Sequence, residues 1–243
     1  MLMWNALLWG AVAGSSILLG TVTSFFVPMK QRILGYIMAF GTGALIAATS
    51  FELLLKSIES SGLLSTTIGF LAGAGIFTAF DWYLWKNGAR KRNRSSGGSS
   101  SGVGWAIFVG AIMDNIPETA MIGVSLIGNN SVSWALLAAV FISNFPEGLS
   151  SSSGLLEDGY SKKKIFLSWT AAVIITALSS LAGYVFLNGA PDQVRAILGS
   201  FAGGSIIAMV SSTMLPEAYE KSDPTIGLIT ALGLLIALAL NTL

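Results

Sequence analysis

The sequence predicts an all-α integral membrane protein of eight transmembrane helices, with an inverted repeat and both termini outside. Three observations carry that prediction. Only 10% of the 243 residues are charged while 53% are hydrophobic, and the mean hydropathy is +0.73. A soluble domain carries about 25% charged residues and breaks its apolar positions into shorter amphipathic patterns. The apolar residues also fall into long runs, most of them sufficient for a ~30 Å hydrocarbon core, separated by short polar connections. Finally, Phe40 to Ser61 aligns without gaps with Phe201 to Ser222, sharing Gly43/Gly204, Ile46/Ile207, Ala47/Ala208, Ser50/Ser211 and Leu54/Leu215 among others. The two copies lie in spans of opposite direction, an internal symmetry typical of transporters.

The spans follow in order within a single transporter domain, 1–243. Span one, 4–27, carries no charge, and nothing before Lys30 is basic, so it reads as a retained span rather than a secretory signal. Its Gly10 and Gly14 form a small-xxx-small pair suited to close helix packing. Spans two, 33–55, and three, 63–85, are separated by a polar turn at Ser60, Ser61 and Gly62. Each has one acid, Glu52 or Asp81, near an end where Lys56 or Lys86 can pair with it.

Residues 86–102 read as a flexible cytoplasmic loop, basic at Arg90, Lys91, Arg92 and Arg94 and then rich in serine and glycine. A basic cluster beside a span is ordinarily a topology signal, and no nucleic-acid partner is expected. Spans four, 103–127, and five, 132–156, form an antiparallel hairpin through Gly128-Asn129-Asn130-Ser131. Past Glu147 the fifth span continues as Ser150 to Ser153, either lining a hydrated path or packing helices. Spans six, seven and eight are 165–187, 196–215 and 225–243.

Basic residues orient these spans. One set of loops holds Lys30, Arg32, Lys86, Arg90, Lys91, Arg92, Arg94, Lys162, Lys163, Lys164 and Lys221, and the other only Lys56 and Arg195. The richer set belongs in the cytoplasm, so both termini and the Asn129-Asn130 turn belong outside.

The chemistry concentrates in one motif written twice, Asp114-Asn115-Ile116-Pro117-Glu118 and Ser143-Asn144-Phe145-Pro146-Glu147-Gly148. Asp114 and Glu118 are four residues apart, as are Ser143 and Glu147, so on helices each pair presents its oxygens along one face and the two faces can meet around a cation. Each proline lacks an amide N–H and should break its helix, freeing the carbonyl of Met113 or Ile142. At about 2.5–3.5 kcal/mol per central acid, three intramembrane carboxylates together cost roughly 8–10 kcal/mol. The alternative, protonated or hydrogen-bonded helix-pairing acids with the prolines as simple kinks, has that cost to offset.

Absent residue types narrow the function. Without cysteine there are no disulfides, thiolate ligands or cysteine nucleophiles, and without histidine there is no imidazole ligand or base. An intramembrane hydrolase built on a Ser–His pair or histidine-bound zinc is excluded. An aspartyl dyad of Asp114 and Asp81 stays formally open but leaves the duplicated motif unexplained.

At these residues the chain resembles the ZIP (Zrt/Irt-like) family of divalent metal transporters, with weaker support from Gly41-Thr42-Gly43-Ala44-Leu45. The resemblance covers essentially the whole chain and implies a 3+2+3 arrangement of the eight spans. It also implies metal ligands Asp114, Asn115 and Glu118 from the fourth span and Asn144 and Glu147 from the fifth, with Ser143 as a sixth candidate. The family often has histidine where Asp114 and Ser143 stand, and a histidine-rich loop before the fourth span. Some members take an acid from the sixth span for a second metal, but 165–187 has none and a binuclear centre is not expected.

The expected function is transport of a divalent transition metal toward the cytoplasm, with zinc (Zn2+) the first choice. Manganese (Mn2+) or iron (Fe2+) remain alternatives because carboxylates and amides suit them. The expected location is the cell membrane, as a multi-pass protein. The partners expected are the metal ion and the lipid bilayer, with a homodimer left open and no prosthetic group. A non-transporting metal sensor or scaffold is the other class left standing.

Overall fold

The computed structural model describes residues 2–27, 29–86, 103–128 and 131–241. The loop expected at 86–102, apart from Lys86, and the Asn129-Asn130 turn lie outside the described residues. Every regular element among the described residues is helical. They are α1 (Leu2–Phe26), α2 (Gln31–Ala48), α3 (Lys56–Lys86), α4 (Val103–Ser125), α5 (Trp134–Glu157), α6 (Lys162–Leu187), α7 (Asp192–Met209), α8 (Leu215–Lys221) and α9 (Ile226–Asn241). Two π-helical stretches, Thr49–Leu55 and Val210–Met214, join α2 to α3 and α7 to α8.

Among the described residues, four helical stretches are long and apolar enough to cross a membrane: Leu2–Phe26, Gln31–Tyr83, Lys162–Leu187 and Asp192–Lys221. The second has 53 residues, on the order of 80 Å of helix at 1.5 Å per residue, far more than one crossing needs. It is divided at Gly62, where φ 78° and ψ 170° leave helical space. The polar turn expected at Ser60, Ser61 and Gly62 is therefore a one-residue break, with the helix running up to Ser61. Only glycine adopts a positive φ of this kind without a Cβ penalty. Ser133 and Ser161 start α5 and α6 by accepting the backbone N–H of Leu136 and Lys164, each at 3.3 Å.

The prolines depart from expectation. Pro117 and Pro146 lie inside α4 and α5, and neither breaks its helix. Packed neighbours and hydroxyl groups can re-satisfy backbone freed by proline. The departures from α-geometry fall instead in the two π-helical stretches, whose starts, Thr49 and Val210, correspond in the internal repeat.

Packing follows the same symmetry. The main contacts are α1 with α5 and α6, α4 with α6, α2 with α9 and α3 with α7; α2–α5 and α4–α7 contacts link these groups. Glycines set the closest approaches. A Cβ on Gly43 would overlap the Thr230 carbonyl and one on Gly233 the Phe40 carbonyl, while Gly204 meets Phe70 and Gly73 meets Phe201 in the same way. Gly20 and Gly148 lock α1 to α5 against Phe145 and Ile17, as Gly183 and Gly123 lock α6 to α4 against Ala120 and Ser180. Each contact thus has a mate in the other half, so the repeat read from spans two and seven extends to the whole bundle. Gly10 and Gly14 pack on α6 at Ser180 and Thr176, as the small-residue pair predicts.

Candidate metal site

The two motifs come together through α1, α2 and α6 rather than through broad contact between α4 and α5. On the α5 side, Gly20 and Gly148 press α1 against the helix around Phe145, and Ser16 donates to the Phe141 carbonyl. On the other flank, a Cβ at Gly41 would come 2.9 Å from the Ser143 Cα and 3.3 Å from the Ile142 carbonyl that Pro146 leaves without its helical partner. The small residues of Gly41-Thr42-Gly43 therefore have a mechanical role. Gly41 admits α2 against the site and Gly43 admits it against α9.

Asn115 stands at the centre. Its amide nitrogen donates to the Ala111 carbonyl at 2.8 Å and to Glu147 Oε2 at 3.4 Å, while its Oδ1 accepts from Asn144 Nδ2 at 2.7 Å. Thr119 donates to the Asn115 carbonyl at 2.7 Å, fixing the helix one turn on. Asn115 and Asn144 are each 1% exposed and Glu118 is 2% exposed. Asp114 is buried as well, and both Asp114 and Glu147 act electrostatically on Glu118. Ser143 is buried and donates to the Val140 carbonyl at 3.0 Å.

The structure therefore links Asn115, Asn144 and Glu147 directly, and places Glu118 within electrostatic reach of Asp114 and Glu147. Ser143 is bonded to its own helix and pressed by α2. Among the described residues no three acidic side chains converge tightly enough to cage a cation as they stand. The bridging groups are the two amides. An amide oxygen has two lone pairs, so Asn115 Oδ1 can accept from Asn144 and still offer a pair to a cation. The donor set is wholly oxygen, which suits hard and borderline divalent ions and lacks the nitrogen or sulfur of typical zinc sites.

Sequence reasoning passed over Glu217. It accepts from Ser150 Oγ at 2.7 Å and lies 3.5 Å from Lys221 Nζ. The signal was present in Leu215-Pro216-Glu217, a third Pro-Glu step just past the end assigned to span seven. The serine run is correspondingly split, with Ser150 facing this carboxylate while Ser152 bonds Thr21 Oγ1 at 2.9 Å in the α1 interface. Glu52 behaves as expected, its carboxylate 2.8 Å from Lys56 Nζ. Asp81 is on α3, which packs chiefly on α7, so no aspartyl pairing with Asp114 is favoured.

A family model described as "ZIP Zinc transporter" matches residues 86–242, which contain both motifs and α4 through α9. The chain belongs to the ZIP family. It is also 28% identical over 213 residues to an Arabidopsis thaliana protein named "Putative zinc transporter", a match covering 85% of this chain and 33% of the relative. This ZIP chain thus spans about a third of the length of that relative.

Proposed function

We propose that this ZIP protein carries a divalent transition metal, zinc foremost, across the cell membrane toward the cytoplasm through the α4–α5 site. In this reading the helices form eight spans in a 3+2+3 arrangement, α2 and α3 being redivided at Gly62 and α7 and α8 joined, with both termini outside as the basic residues require. Asp114, Asn115, Glu118, Asn144 and Glu147 are the ligands, and Ser143 contributes a neutral oxygen.

The observation that carries the reading is the hydrogen-bond chain Asn144–Asn115–Glu147, buried at its two amides and half-buried at Glu147, beside the buried Glu118. Buried ionisable and amide groups are costly inside a bilayer and mark ion pathways. Here they come from two helices and point at one another. A passing cation replaces water with carboxylate and amide oxygen, while the bond to the Ala111 carbonyl within α4 and the Ser143–Val140 bond within α5 hold the Asn115 and Ser143 side chains in place. Zinc leads because the family description and the plant relative's name both point to it; the oxygen-only donor set keeps manganese and iron(II) as the alternative cargo.

Uptake of radioactive zinc and manganese into proteoliposomes tests the proposal. Wild-type protein should load the vesicles with one or both ions, and Glu118→Gln and Glu147→Gln should each bring uptake to the level of empty vesicles. Binding without uptake would identify a sensor instead. Wild-type rates in both variants would move the pathway away from this hairpin.

A further inference from the structure

A second feature lies away from the metal site, between α4 and α6 near their N-terminal ends. A cavity of about 460 Å³ opens there, lined by Phe108 of α4 and by Lys163, Lys164, Leu167, Ser168 and Ala171 of α6. Phe108 forms part of its wall and is backed by the buried Trp169, with ring centroids 5.9 Å apart in an edge-on arrangement.

The three consecutive lysines here have different surroundings. Lys162 is committed to α1, donating to the Phe25 carbonyl at 2.9 Å and lying over the Phe25 and Phe26 rings. Lys163 and Lys164 line the cavity, with Lys164 also over the Tyr160 ring, and among the described residues neither is in ion-pair contact with a carboxylate. The groove thus pairs two cations with an apolar floor. Below it the exposed side chains of Leu167, Ile174, Leu178 and Val185 run down the outer face of α6.

We propose that this α4–α6 groove binds an anionic phospholipid of the cytoplasmic leaflet. Its phosphate would sit between Lys163 and Lys164, its glycerol backbone over Phe108 and Ala171, and one acyl chain along the α6 stripe. Charge complementarity selects an anionic headgroup over a zwitterionic one, and basic pockets between membrane helices on the cytoplasmic side have this chemistry. The leaflet assignment rests on the orientation proposed above, whereas the chemistry of the groove does not.

Native mass spectrometry of the detergent-purified protein, titrated with dioleoylphosphatidylglycerol or dioleoylphosphatidylcholine, tests it. Wild-type protein should retain phosphatidylglycerol in preference to phosphatidylcholine. The double variant Lys163→Gln, Lys164→Gln should bind phosphatidylglycerol about thirtyfold more weakly, and Lys162→Gln should match wild type. Equal affinity of the wild type for the two lipids would overturn the proposal with no variant involved, as would unchanged binding in the double variant. Displacement of the lipid by equimolar glycerol 1-phosphate would also overturn it, in favour of a soluble anion. The count is made without metal and without flux, so failure of the transport reading and failure of this one are separately visible.

Discussion

Asn115 works in two directions, holding Glu147 with one end of its amide and accepting Asn144 with the other. Removing Asn144 therefore leaves Asn115 free to turn, although no carboxylate is lost. In the proposed site it also removes a ligand oxygen, and even the outer partners of metal ligands typically contribute 10–100-fold in affinity. We expect Asn144→Ala to weaken zinc binding by at least that factor, and Glu118→Gln to abolish uptake while thermal stability holds or rises, because a neutral amide replaces a buried carboxylate. Ser143→Ala should cost less than about tenfold, since it removes only a neutral hydroxyl already donating to Val140. Metal titration and unfolding curves of the purified variants check all three. A Ser143→Ala protein as inactive as Glu118→Gln would make the serine a principal ligand. The polar residues of this site could be picked out because acids and amides are rare in apolar sequence. Their mutual bonding could not, because Asn115 and Asn144 meet only after α1, α2 and α6 have set the α4–α5 spacing. Glu217 was missed because it lies just outside an apolar run, where a carboxylate looks cheap.

Helices in this bundle are positioned by backbone contact at glycine, and symmetry doubles several of these contacts. Gly43 and Gly204 are repeat mates, each facing a carbonyl of the neighbouring helix, whereas Gly75 has no heavy atom within 4 Å of where a Cβ would stand. Overpacking costs about 1–3 kcal/mol even where side chains can yield, and a carbonyl yields less. Gly43→Val and Gly204→Val should each lower the unfolding temperature markedly, and Gly75→Ala should leave it unchanged or raise it; thermal unfolding in detergent gives the comparison. The α8–α9 connection is tied differently. Asp223 accepts from the Thr225 hydroxyl and from its backbone N–H, and its carboxylate lies 2.5 Å from Arg32 on α2. The Thr225 bonds chiefly, with Arg32 adding, hold the Asp223 carboxyl below its ordinary value of 3.8. A depressed carboxyl stabilises above its unfolded value and loses that contribution as pH falls through the folded one. This tether should therefore be complete from neutrality to about pH 5 and fail only in stronger acid. Unfolding temperatures of wild type and Asp223→Asn should differ by a constant amount over the upper range and converge below it; a difference that changes between pH 5 and 8 would assign the tether elsewhere. The apolar runs revealed which segments are helical because length and hydropathy suffice for that. They gave the wrong account of Pro117 and Pro146, since whether a proline breaks a helix depends on neighbours absent from local sequence. The π-helical stretches had no sequence signal apart from the repeat that places both.

The two halves of the molecule are related by the fold, yet the two Asn-x-Pro-Glu motifs are not each other's symmetry mates. Reciprocal glycine contacts equate Gly148 with Gly123 and Phe145 with Ala120, a shift of 25 residues between α5 and α4, whereas the motif recurs from Asn115 to Asn144 at a shift of 29. The difference of four is one helical turn. Glu118 is thus paired by the fold with Ser143, and Glu147 with Ile122, so the site is one-sided within a two-sided scaffold and its two approaches are chemically different. That asymmetry gives the orientation of the chain a functional meaning, and the orientation is measurable. The chain has no cysteine, so single introduced thiols report without background. Ser131 and Glu157 are exposed at opposite ends of the α5 rod, whose 24 residues span on the order of 36 Å, enough to place them on opposite sides of a bilayer. In the proposed orientation the Lys162 end lies inside. Ser131→Cys should react with an impermeant maleimide on intact cells, as should a cysteine appended to the N-terminus, while Glu157→Cys should react only after permeabilisation. Glu157→Cys labelled from outside with Ser131→Cys protected would invert the molecule and with it the proposed direction of transport. Labelling of both from one side would mean that α5 does not cross at all, and the Asn144–Asn115–Glu147 chain would no longer connect two compartments.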